Sequence, residues 1–281
     1  MTTTETYREK QRSTWRASAD GWGKWADWNQ HAMREVTDWL CQAAQLAPSM
    51  HVLDVATGLG QPALDEAKRV SPNGTVVATD LSPEMLAVAE RRAREGGLRN
   101  LDFQTMDAEA LGFPDRSFDA VTCAYGLMFC PDPVRAVAEM RRVLRPGGRL
   151  ALAVWDEAAR NPFFSTIRRA VGPILKNPPP DPKAPGQFRL APPGELEAVL
   201  EAAGFRDFVV ESVASRFECG SPEQYWEIVN DHATGLRLAL EGLPQPDRDQ
   251  ARSAAIEAAR TFVSGQGLRF AATSRCVWAA R

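Results

Sequence analysis

The sequence has few of the residues that build metal and redox centres. Its 281 residues include five cysteines and three histidines. The cysteines, at Cys41, Cys123, Cys130, Cys219 and Cys276, lack the short spacings typical of zinc sites or redox-active dithiols. We therefore expect no metal site and no catalytic thiol. An odd, scattered set of thiols is typical of a protein kept in a reducing compartment.

Other absences exclude further classes of protein. The formal net charge is −3, which argues against a nucleic-acid partner, because binding to a phosphate backbone needs concentrated Lys and Arg. The segment from Met1 to Lys10 lacks the apolar core of a signal peptide, and no later apolar run is long enough to span a membrane. We expect a cytoplasmic protein that acts on small molecules. Its oligomeric state has no signature in the sequence.

The stretch from His51 to Ala67 predicts a strand, a tight turn and a helix. A short apolar run that includes Asp54 near its end is typical of a buried parallel strand. Gly58 and Gly60 follow at once, and glycine allows both the turn and the close approach of a ligand to the main chain. The next helix begins there and presents unpaired N–H groups. The pattern predicts a loop that binds a nucleotide-type ligand.

Two further predicted strands end near carboxylates. Val76 to Asp80 is the second strand, and Leu101 to Asp107 holds the third. Together with Asp54, these side chains suit an ammonium group, a ribose diol and the edge of a base. No Lys or Arg stands in the glycine loop to meet a phosphate. The set favours S-adenosylmethionine (SAM) over NAD, although Gly58-x-Gly60-x-x-Ala63 also satisfies a relaxed dinucleotide pattern.

Predicted strands and helices alternate from Val52 to Trp155, which indicates a parallel sheet covered by helices on both faces. Ligands of such sheets bind beyond the carboxyl ends of the strands. We therefore expect the three aspartates and Tyr125 to lie along one edge of the sheet.

Four ordered runs resemble the class I SAM-dependent methyltransferases, and most of all the UbiE-like C-methyltransferases of ubiquinone and menaquinone biosynthesis and their small-molecule relatives. The runs are VLDVATGLGQPAL, VVATDLSPEML, MDAEALGFPDRSFDAV and RRVLRPGGRLALAVW. The resemblance covers residues 48–155 firmly and 190–215 loosely. Ala56 stands where the family usually has Gly, and we expect cofactor binding to tolerate this departure.

The resemblance implies an α/β fold with a Rossmann-like, seven-stranded, mostly parallel sheet, helices on both faces and an antiparallel last strand. It divides the chain into an N-terminal helical and aromatic gate (1–47), a SAM-binding core (48–155) and a C-terminal half (156–281). That last part would carry a cap that binds the methyl acceptor, in segments 156–190 and 221–265.

The resemblance also assigns roles by position. Asp54 would organise the methionine end of SAM, Asp80 would hold the ribose hydroxyls, and Asp107 would meet the adenine edge. The full predicted cofactor-binding set is Tyr7, Asp54, Ala56, Thr57, Gly58, Gly60, Gln61, Asp80, Leu81, Met85, Asp107, Ala108, Ala124 and Tyr125. The implied activity is methyl transfer from SAM to a small, largely apolar acceptor of an aromatic, quinone-like or natural-product kind.

His232 is the predicted catalytic base, because it lies on the apolar face of a predicted cap helix and imidazole titrates near neutrality. A buried structural histidine is the alternative interpretation. Tyr7 and Tyr125 are further candidates, and a carbanion-like acceptor would need no protein base. Two rival functions are an NAD(P)-dependent oxidoreductase, motivated by the glycine pattern, and a non-catalytic SAM-fold binding module.

Several local expectations concern the segments outside the core. Gly21 and Gly23 predict that the Trp-rich N-terminus is divided into a short helix, a turn and an aromatic segment, which we expect to order when cofactor binds. The remaining expectations are a helix over 31–47, a cap helix over 156–172, a proline-rich loop over 176–186 that crosses the mouth of the site, a strand over 208–213 and a long helix over 221–240.

Overall fold

A mixed β-sheet forms the centre of the molecule, and the structure, a computed structural model, describes residues 3–176, 181 and 183–281. The strands are β1 His51–Val55, β2 Thr75–Asp80, β3 Leu101–Thr105, β4 Phe118–Ala124, β5 Leu144–Trp155, β6 Phe208–Cys219, β7 Val263–Ser264 and β8 Gly267–Ala280. The helices are α1 Thr3–Lys24, α2 Ala26–Ala32, α3 Arg34–Ala43, α4 Ala63–Val70, α5 Pro83–Glu95, α6 Pro133–Val143, α7 Pro162–Leu175, α8 Glu195–Ala202, α9 Pro222–His232, α10 Thr234–Glu241 and α11 Gln245–Ala259. Within these described stretches, no helix combines the length and the apolar character needed to cross a membrane.

The sheet has the strand order β3–β2–β1–β4–β5–β8–β6, and the two-residue β7 pairs with β8. Neighbours among β1 to β5 are parallel, whereas β8 is antiparallel to both β5 and β6. The predicted Rossmann-like sheet with an antiparallel last strand is confirmed.

Both faces of the central strands are buried, because side chains alternate between the two faces of a strand. Val52, Ala120 and Ala151 pack with α3 and α4 on one face. Their neighbours Leu53 and Val121 lie in the larger cluster on the other face, with residues of α6, α7, α8, α9 and α11. Residues of the predicted core and of the predicted cap therefore share one hydrophobic cluster. The division of the chain at 47 and 155 stays a prediction.

The N-terminal helix α1 runs without a break from Thr3 to Lys24, so the prediction that Gly21 and Gly23 divide this segment is wrong. A glycine inside a helix costs about 1 kcal/mol relative to alanine. Here tertiary packing offsets that cost, because a Cβ at Gly21 would lie well inside van der Waals contact with the carbonyl oxygen of Asp231 on α9. Gly21 therefore lets the two helices approach closely.

Two predicted helices are each divided in the structure. The helix expected over 31–47 ends at Ala43, and Met33 separates it from α2. The helix expected over 221–240 breaks at Ala233, whose ψ of 72° leaves the helical region. The Thr234 hydroxyl beyond this break is hydrogen bonded to Ser18 of α1, so a tertiary contact overrides the helical periodicity at this point.

A helix and a strand predicted for the C-terminal half are present with different bounds, and the predicted proline-rich loop is only partly described. The cap helix expected over 156–172 is α7, which begins only at Pro162 and continues to Leu175. The strand expected over 208–213 continues to Cys219, and exposed and buried residues alternate along its second half. In the proline-rich loop over 176–186, residues 177–180 and 182 lie outside the described residues. Its course across the mouth of the site stays a prediction.

We expect Gly21→Ala to lower the free energy of unfolding by about 1–3 kcal/mol, since the new methyl group would overpack the contact between α1 and α9. Gly23→Ala is the matched control in the same helix. Its Cβ would meet only Val88 side-chain atoms, the nearest at 3.7 Å, so the gain in helix propensity should leave stability unchanged or raise it by up to about 1 kcal/mol. Urea unfolding of both variants measures the difference. Equal stability of the two would contradict the packing role of Gly21.

Candidate functional site

A cavity of about 1000 Å³ lies at the carboxyl edge of the parallel strands. The loops after β1 and β3 and the ends of β2 and β4 line one side, which we call the cofactor side. The other, which we call the acceptor side, includes Trp155, residues of α7, α9 and α10, and Phe217 of β6. Residues of α1, α2 and α3 also contribute to the lining. The volume is at the upper end of the range for ligand pockets, which suits two ligands bound side by side.

The glycines of the β1–α4 loop have different tasks. Gly58 has a φ of 54° and lines the cavity, and a Cβ there would meet nothing within 4 Å. Its main chain is thus open to a ligand. Gly60 has a φ of 89°, and a Cβ there would lie 3.0 Å from Leu64 and 3.3 Å from Ala89. This glycine serves the packing of α4 against α5, and it does not line the cavity.

Ala56, the departure from the family pattern, also adopts a left-handed conformation, with a φ of 58°. A side chain in this region is strained. Its methyl group is accommodated by Gly126, because a Cβ at position 126 would overlap the Cβ of Ala56. Ala56 therefore keeps the loop geometry with the help of a glycine after β4.

Asp54 lies near the end of β1 but beneath the loop, fully buried and outside the cavity lining. The Thr122 hydroxyl donates to its Oδ1 at 3.2 Å. Its Oδ2 and the Thr57 hydroxyl have no hydrogen-bond partner among the residues that the structure describes. Burial raises the pKa of Asp54 to about 7. Because Asp54 lies outside the cavity lining, it would act on a ligand through its charge rather than by direct contact.

Asp80 ends β2, lines the cavity and holds the glycine loop. The Gly58 N–H donates to Oδ2 and the Ser82 N–H donates to Oδ1, both at 2.9 Å. Each carboxylate oxygen can accept a second hydrogen bond. Burial raises the pKa of Asp80 as well. The geometry leaves two acceptor positions, which match a vicinal diol.

Asp107 pairs with a residue of the N-terminal helix that the sequence did not single out. Arg8 of α1 lies 2.8 Å from Asp107 Oδ2 through its Nε, and it also pairs with Glu109. Glu109 is 2% exposed and accepts a hydrogen bond from the Asp132 N–H at 2.9 Å. Arg8 thus ties α1 to the loop after β3, where the adenine edge was expected.

Tyr125 follows β4 and forms the border between the two sides of the cavity. Its φ is 59°, and its N–H donates to the Ala153 carbonyl at 2.8 Å. The ring stacks on Trp155 with a centroid distance of 4.1 Å, and the hydroxyl is 2.7 Å from Ser274 Oγ. Contacts on its face and at its hydroxyl therefore fix this ring in place.

The acceptor side is a wall of aromatic rings around Trp155. Phe164 packs on Trp155 at 4.8 Å, and Phe163 stacks on Phe217 at 4.6 Å. Trp28 of α2 stacks on Phe217 at 5.5 Å. Sequence reasoning missed Phe217, although the alternation of apolar and polar residues beyond position 213 was a signal that could have found it.

Three of the N-terminal tryptophans are anchored to α9 and β6 by their indole N–H groups. Trp22 donates to the His232 carbonyl at 3.1 Å, Trp25 to Asp231 Oδ2 at 2.8 Å and Trp28 to the Glu218 carbonyl at 2.7 Å. Trp15 packs edge-on against Phe129. Trp15, Trp22 and Trp28 also line the cavity, so three of the four tryptophans both pack and face the site.

His232 lines the cavity, with both ring nitrogens in hydrogen bonds. Nδ1 lies 2.7 Å from the Ile228 carbonyl and can only donate to it. Nε2 of the neutral ring therefore accepts, and Asn29 Nδ2 lies 2.8 Å away. Burial lowers the pKa of His232 to about 4. The prediction that His232 is a base stays a prediction, while these contacts support an anchoring role between α2 and α9.

The cavity brings together most of the residues that the sequence predicted. The predicted residues that line it are Tyr7, Ala56, Thr57, Gly58, Gln61, Asp80, Leu81, Met85, Asp107, Ala108, Ala124, Tyr125 and His232. Asp54 and Gly60 lie behind this lining. Across the described residues, no group of three or more His, Cys, Asp or Glu side chains has the arrangement of a metal site.

The chain is similar in sequence to known methyltransferases. Residues 53–152 match the family model of a methyltransferase domain. The chain is 45% identical over 117 residues to the ubiquinone/menaquinone biosynthesis C-methyltransferase UbiE of Bordetella avium, a match that covers 42% of this chain and 45% of that protein. It is 36% identical over 178 residues to a demethylmenaquinone methyltransferase of Thermus thermophilus, covering 58% of this chain and 77% of that protein.

The extent of these similarities differs between sequence and structure. The chain spans about half the length of the first of these relatives. The solved structure of the cyclase SpnF is similar over 87% of this chain and 79% of that chain, with a TM-score of 0.54 and 25% identity. The structural similarity to SpnF therefore covers a larger share of this chain than the sequence similarity to UbiE does.

We expect His232 to make the folded protein less stable in acid. Its pKa is about 4 in the folded state and about 6.5 in an unfolded chain. As the pH falls through this window, the unfolded chain takes up a proton that the folded protein excludes. The free energy of unfolding should therefore drop by about 2–3 kcal/mol between pH 7 and pH 4.5 through this residue. Urea unfolding at several pH values, for the wild type and His232→Gln, measures it.

The substitution His31→Gln is the matched control, because His31 is exposed and its loss should leave the acid sensitivity of the wild type intact. If the free energy of unfolding of His232→Gln fell with pH as far as that of the wild type, His232 would be protonated as easily in the folded protein as in the unfolded chain.

Proposed function

This chain belongs to the UbiE-like family of SAM-dependent methyltransferases, and we propose that it transfers the methyl group of SAM to a small, largely apolar acceptor. The observation that carries this proposal is one cavity with two unlike sides. The cofactor side presents the glycine loop, Asp80 and Asp107. The acceptor side is the aromatic wall around Trp155.

The residues of the cofactor side fit SAM. Gly58 leaves its main chain open, as shown by the empty space where a Cβ would stand. Asp80 retains two free acceptor positions for the ribose hydroxyls. Asp54, with its unpartnered Oδ2 behind the loop, is an acid whose ionised form an ammonium or sulfonium group in front of the loop would favour. Asp107 and Ala108 stand beside the expected position of the adenine.

The protein's part in the reaction is alignment and the exclusion of water. SAM supplies, when bound, a methyl group activated by its sulfonium. Tyr125 is held by Trp155 and Ser274, so it forms a fixed surface between the two ligands. Positioning of reactants can contribute about 7–11 kcal/mol to a barrier. A rigid ring at this border serves that purpose.

The three candidate bases are all poor proton acceptors at pH 7. Burial raises the pKa of Tyr7 to about 12 and that of Tyr125 well above its usual range. The free electron pair of His232 faces Asn29. We infer that the acceptor brings its own nucleophile, as a carbanion-like or readily ionised group, and that these side chains orient it.

The relatives support a ring-bearing, quinone-like acceptor. UbiE and demethylmenaquinone methyltransferase are named for quinone biosynthesis, and the wall of Trp28, Phe163, Phe164 and Phe217 matches a flat apolar body. Incubation with labelled SAM and a panel of phenols, quinols, amines and 2-oxo acids tests this proposal. We expect label to transfer to quinols or phenols. A panel with no labelled product would contradict it.

We expect S-adenosylhomocysteine, the demethylated product of SAM, to bind with micromolar affinity and to raise the melting temperature by mass action. Asp80→Ala should weaken this binding by roughly 1.5–3 kcal/mol, because it removes charge-assisted hydrogen bonds to two hydroxyls. Titration calorimetry measures both quantities.

The matched control for Asp80→Ala is Asp102→Ala on the adjacent β3, where the side chain is exposed and the affinity should stay unchanged. Equal affinity of the wild type and Asp80→Ala would place the ribose elsewhere. A clear isotherm with NAD and none with S-adenosylhomocysteine would favour the oxidoreductase. Binding without transfer to any acceptor would favour the non-catalytic module.

We also expect cofactor to protect the N-terminal helix from trypsin at Arg12 and Arg16. Helix α1 is tied to the cofactor side by the contacts of Arg8 with Asp107 and Glu109, so occupation of that side should stabilise its closed position. Arg8→Ala should be cleaved faster than the wild type in the absence of cofactor. The control Glu9→Ala, at an exposed position of the same helix, should behave as the wild type. Equal rates of cleavage with and without cofactor would contradict the interpretation of the N-terminal segment as a gate over the cavity.

A further inference from the structure

Arg168 is a charged residue of the cavity that the proposed function leaves without a role. It lies on α7, whose residues Phe163, Phe164, Ile167, Arg168, Val171, Gly172 and Leu175 form a stripe along the acceptor side. These positions recur at the spacing of one helix face. Arg168 is exposed to solvent and also lines the cavity, which places it at the mouth.

The other arginines of the cavity are already paired. Arg8 contacts Asp107 and Glu109. Arg92 donates to the Leu59 carbonyl and to Gln30 Oε1, both at 2.8 Å. Arg168 forms no hydrogen bond or ion pair with any residue in 3–176, 181 or 183–281. Along the otherwise apolar face of α7, Arg168 presents an unpaired cation to a ligand that enters the cavity.

We propose that Arg168 binds a carboxylate on the acceptor, which makes the substrate a ring-bearing organic acid. The inference rests on the proposed function, since it assigns the acceptor to the same cavity. A guanidinium presents a planar fork of N–H donors that matches a carboxylate. The few polar groups of an apolar pocket are those that fix the orientation of its ligand.

The position of Arg168 sets which end of the acceptor carries the acid. One helical turn, roughly 6 Å along the axis, separates Arg168 from Phe164. Phe164 packs on Trp155, which stacks on Tyr125. A ring lying along this row of side chains would have its acid group at the mouth and its opposite edge beside Tyr125. Arg168 thus determines substrate choice and orientation and takes no part in the methyl transfer itself.

The test is titration calorimetry of the full chain, saturated with S-adenosylhomocysteine, against two matched probes. The probes are 6-hydroxy-2-naphthoate, which carries the carboxylate, and 2-naphthol, which lacks it. We expect the wild type to bind the acid about 3- to 10-fold more tightly at low salt, between the values typical of exposed ion pairs and of charged hydrogen bonds. This preference should shrink when salt rises from about 20 mM to about 0.5 M, since salt screens an exposed pair.

Three variants separate recognition from a structural effect. Arg168→Gln should lose the preference for the acid while keeping its affinity for 2-naphthol and its melting temperature. Arg168→Lys should retain part of the preference, because the charge remains. Arg169→Gln, at the adjacent exposed position outside the cavity lining, should behave as the wild type.

The outcomes distinguish this inference from the proposed function. Absence of S-adenosylhomocysteine binding would overturn both. Cofactor binding with no preference for the acid in the wild type, or with a preference that survives in Arg168→Gln, would overturn the role of Arg168 alone. If the protein bound cofactor but neither probe, the proposal that its substrate is a ring-bearing acid would likewise be overturned.

Discussion

The close approach of α1 to α9 at Gly21 is the contact on which the closed cavity depends. It brings the indole N–H groups of Trp22 and Trp25 within hydrogen-bond distance of His232 and Asp231. The carboxyl edge of a parallel sheet is otherwise an open cleft. Methyl transfer benefits from a site that excludes water, and here one position without a side chain makes that closure sterically feasible.

Features that depend on neighbouring residues were predictable from the sequence, and features that depend on distant partners were not. The order of strands and helices and the loop after β1 follow from local apolar runs and glycine positions. The packing that offsets the cost of Gly21 within α1 involves the carbonyl of Asp231, which is far along the chain. Whether the glycine loop can hold the side chain of Ala56 likewise depends on a distant residue, Gly126. Arg8 had no visible partner until the fold placed it against Asp107 and Glu109.

Two fully buried acids lie behind the glycine loop, in surroundings that favour their neutral forms. Asp54 and Glu66 are both fully buried, and within the described part of the chain both carboxylate oxygens of Glu66 lack a hydrogen-bond partner. Burial, followed by the charge of Asp54, raises the pKa of Glu66. A cation bound in front of the loop opposes such a shift, because it favours the ionised form of a nearby acid. Ionisation of these buried acids would therefore be coupled to the binding of a cationic ligand, and an anionic ligand would oppose it.

The fold alone does not determine the reaction, since the cyclase SpnF has a similar structure. This chain combines a ring-lined wall with side chains that stay neutral near pH 7. Tyr7 and Tyr125 keep their protons, and His232 stays unprotonated. A site of this kind gives little help in removing a proton from a weakly acidic acceptor. Under the function proposed above, it would hold a flat, already nucleophilic ring in line with an activated methyl group, because rigid stacking and exclusion of water need no change of charge in the protein. On that proposal, the chemistry of the acceptor, rather than a catalytic base, decides which compounds are methylated.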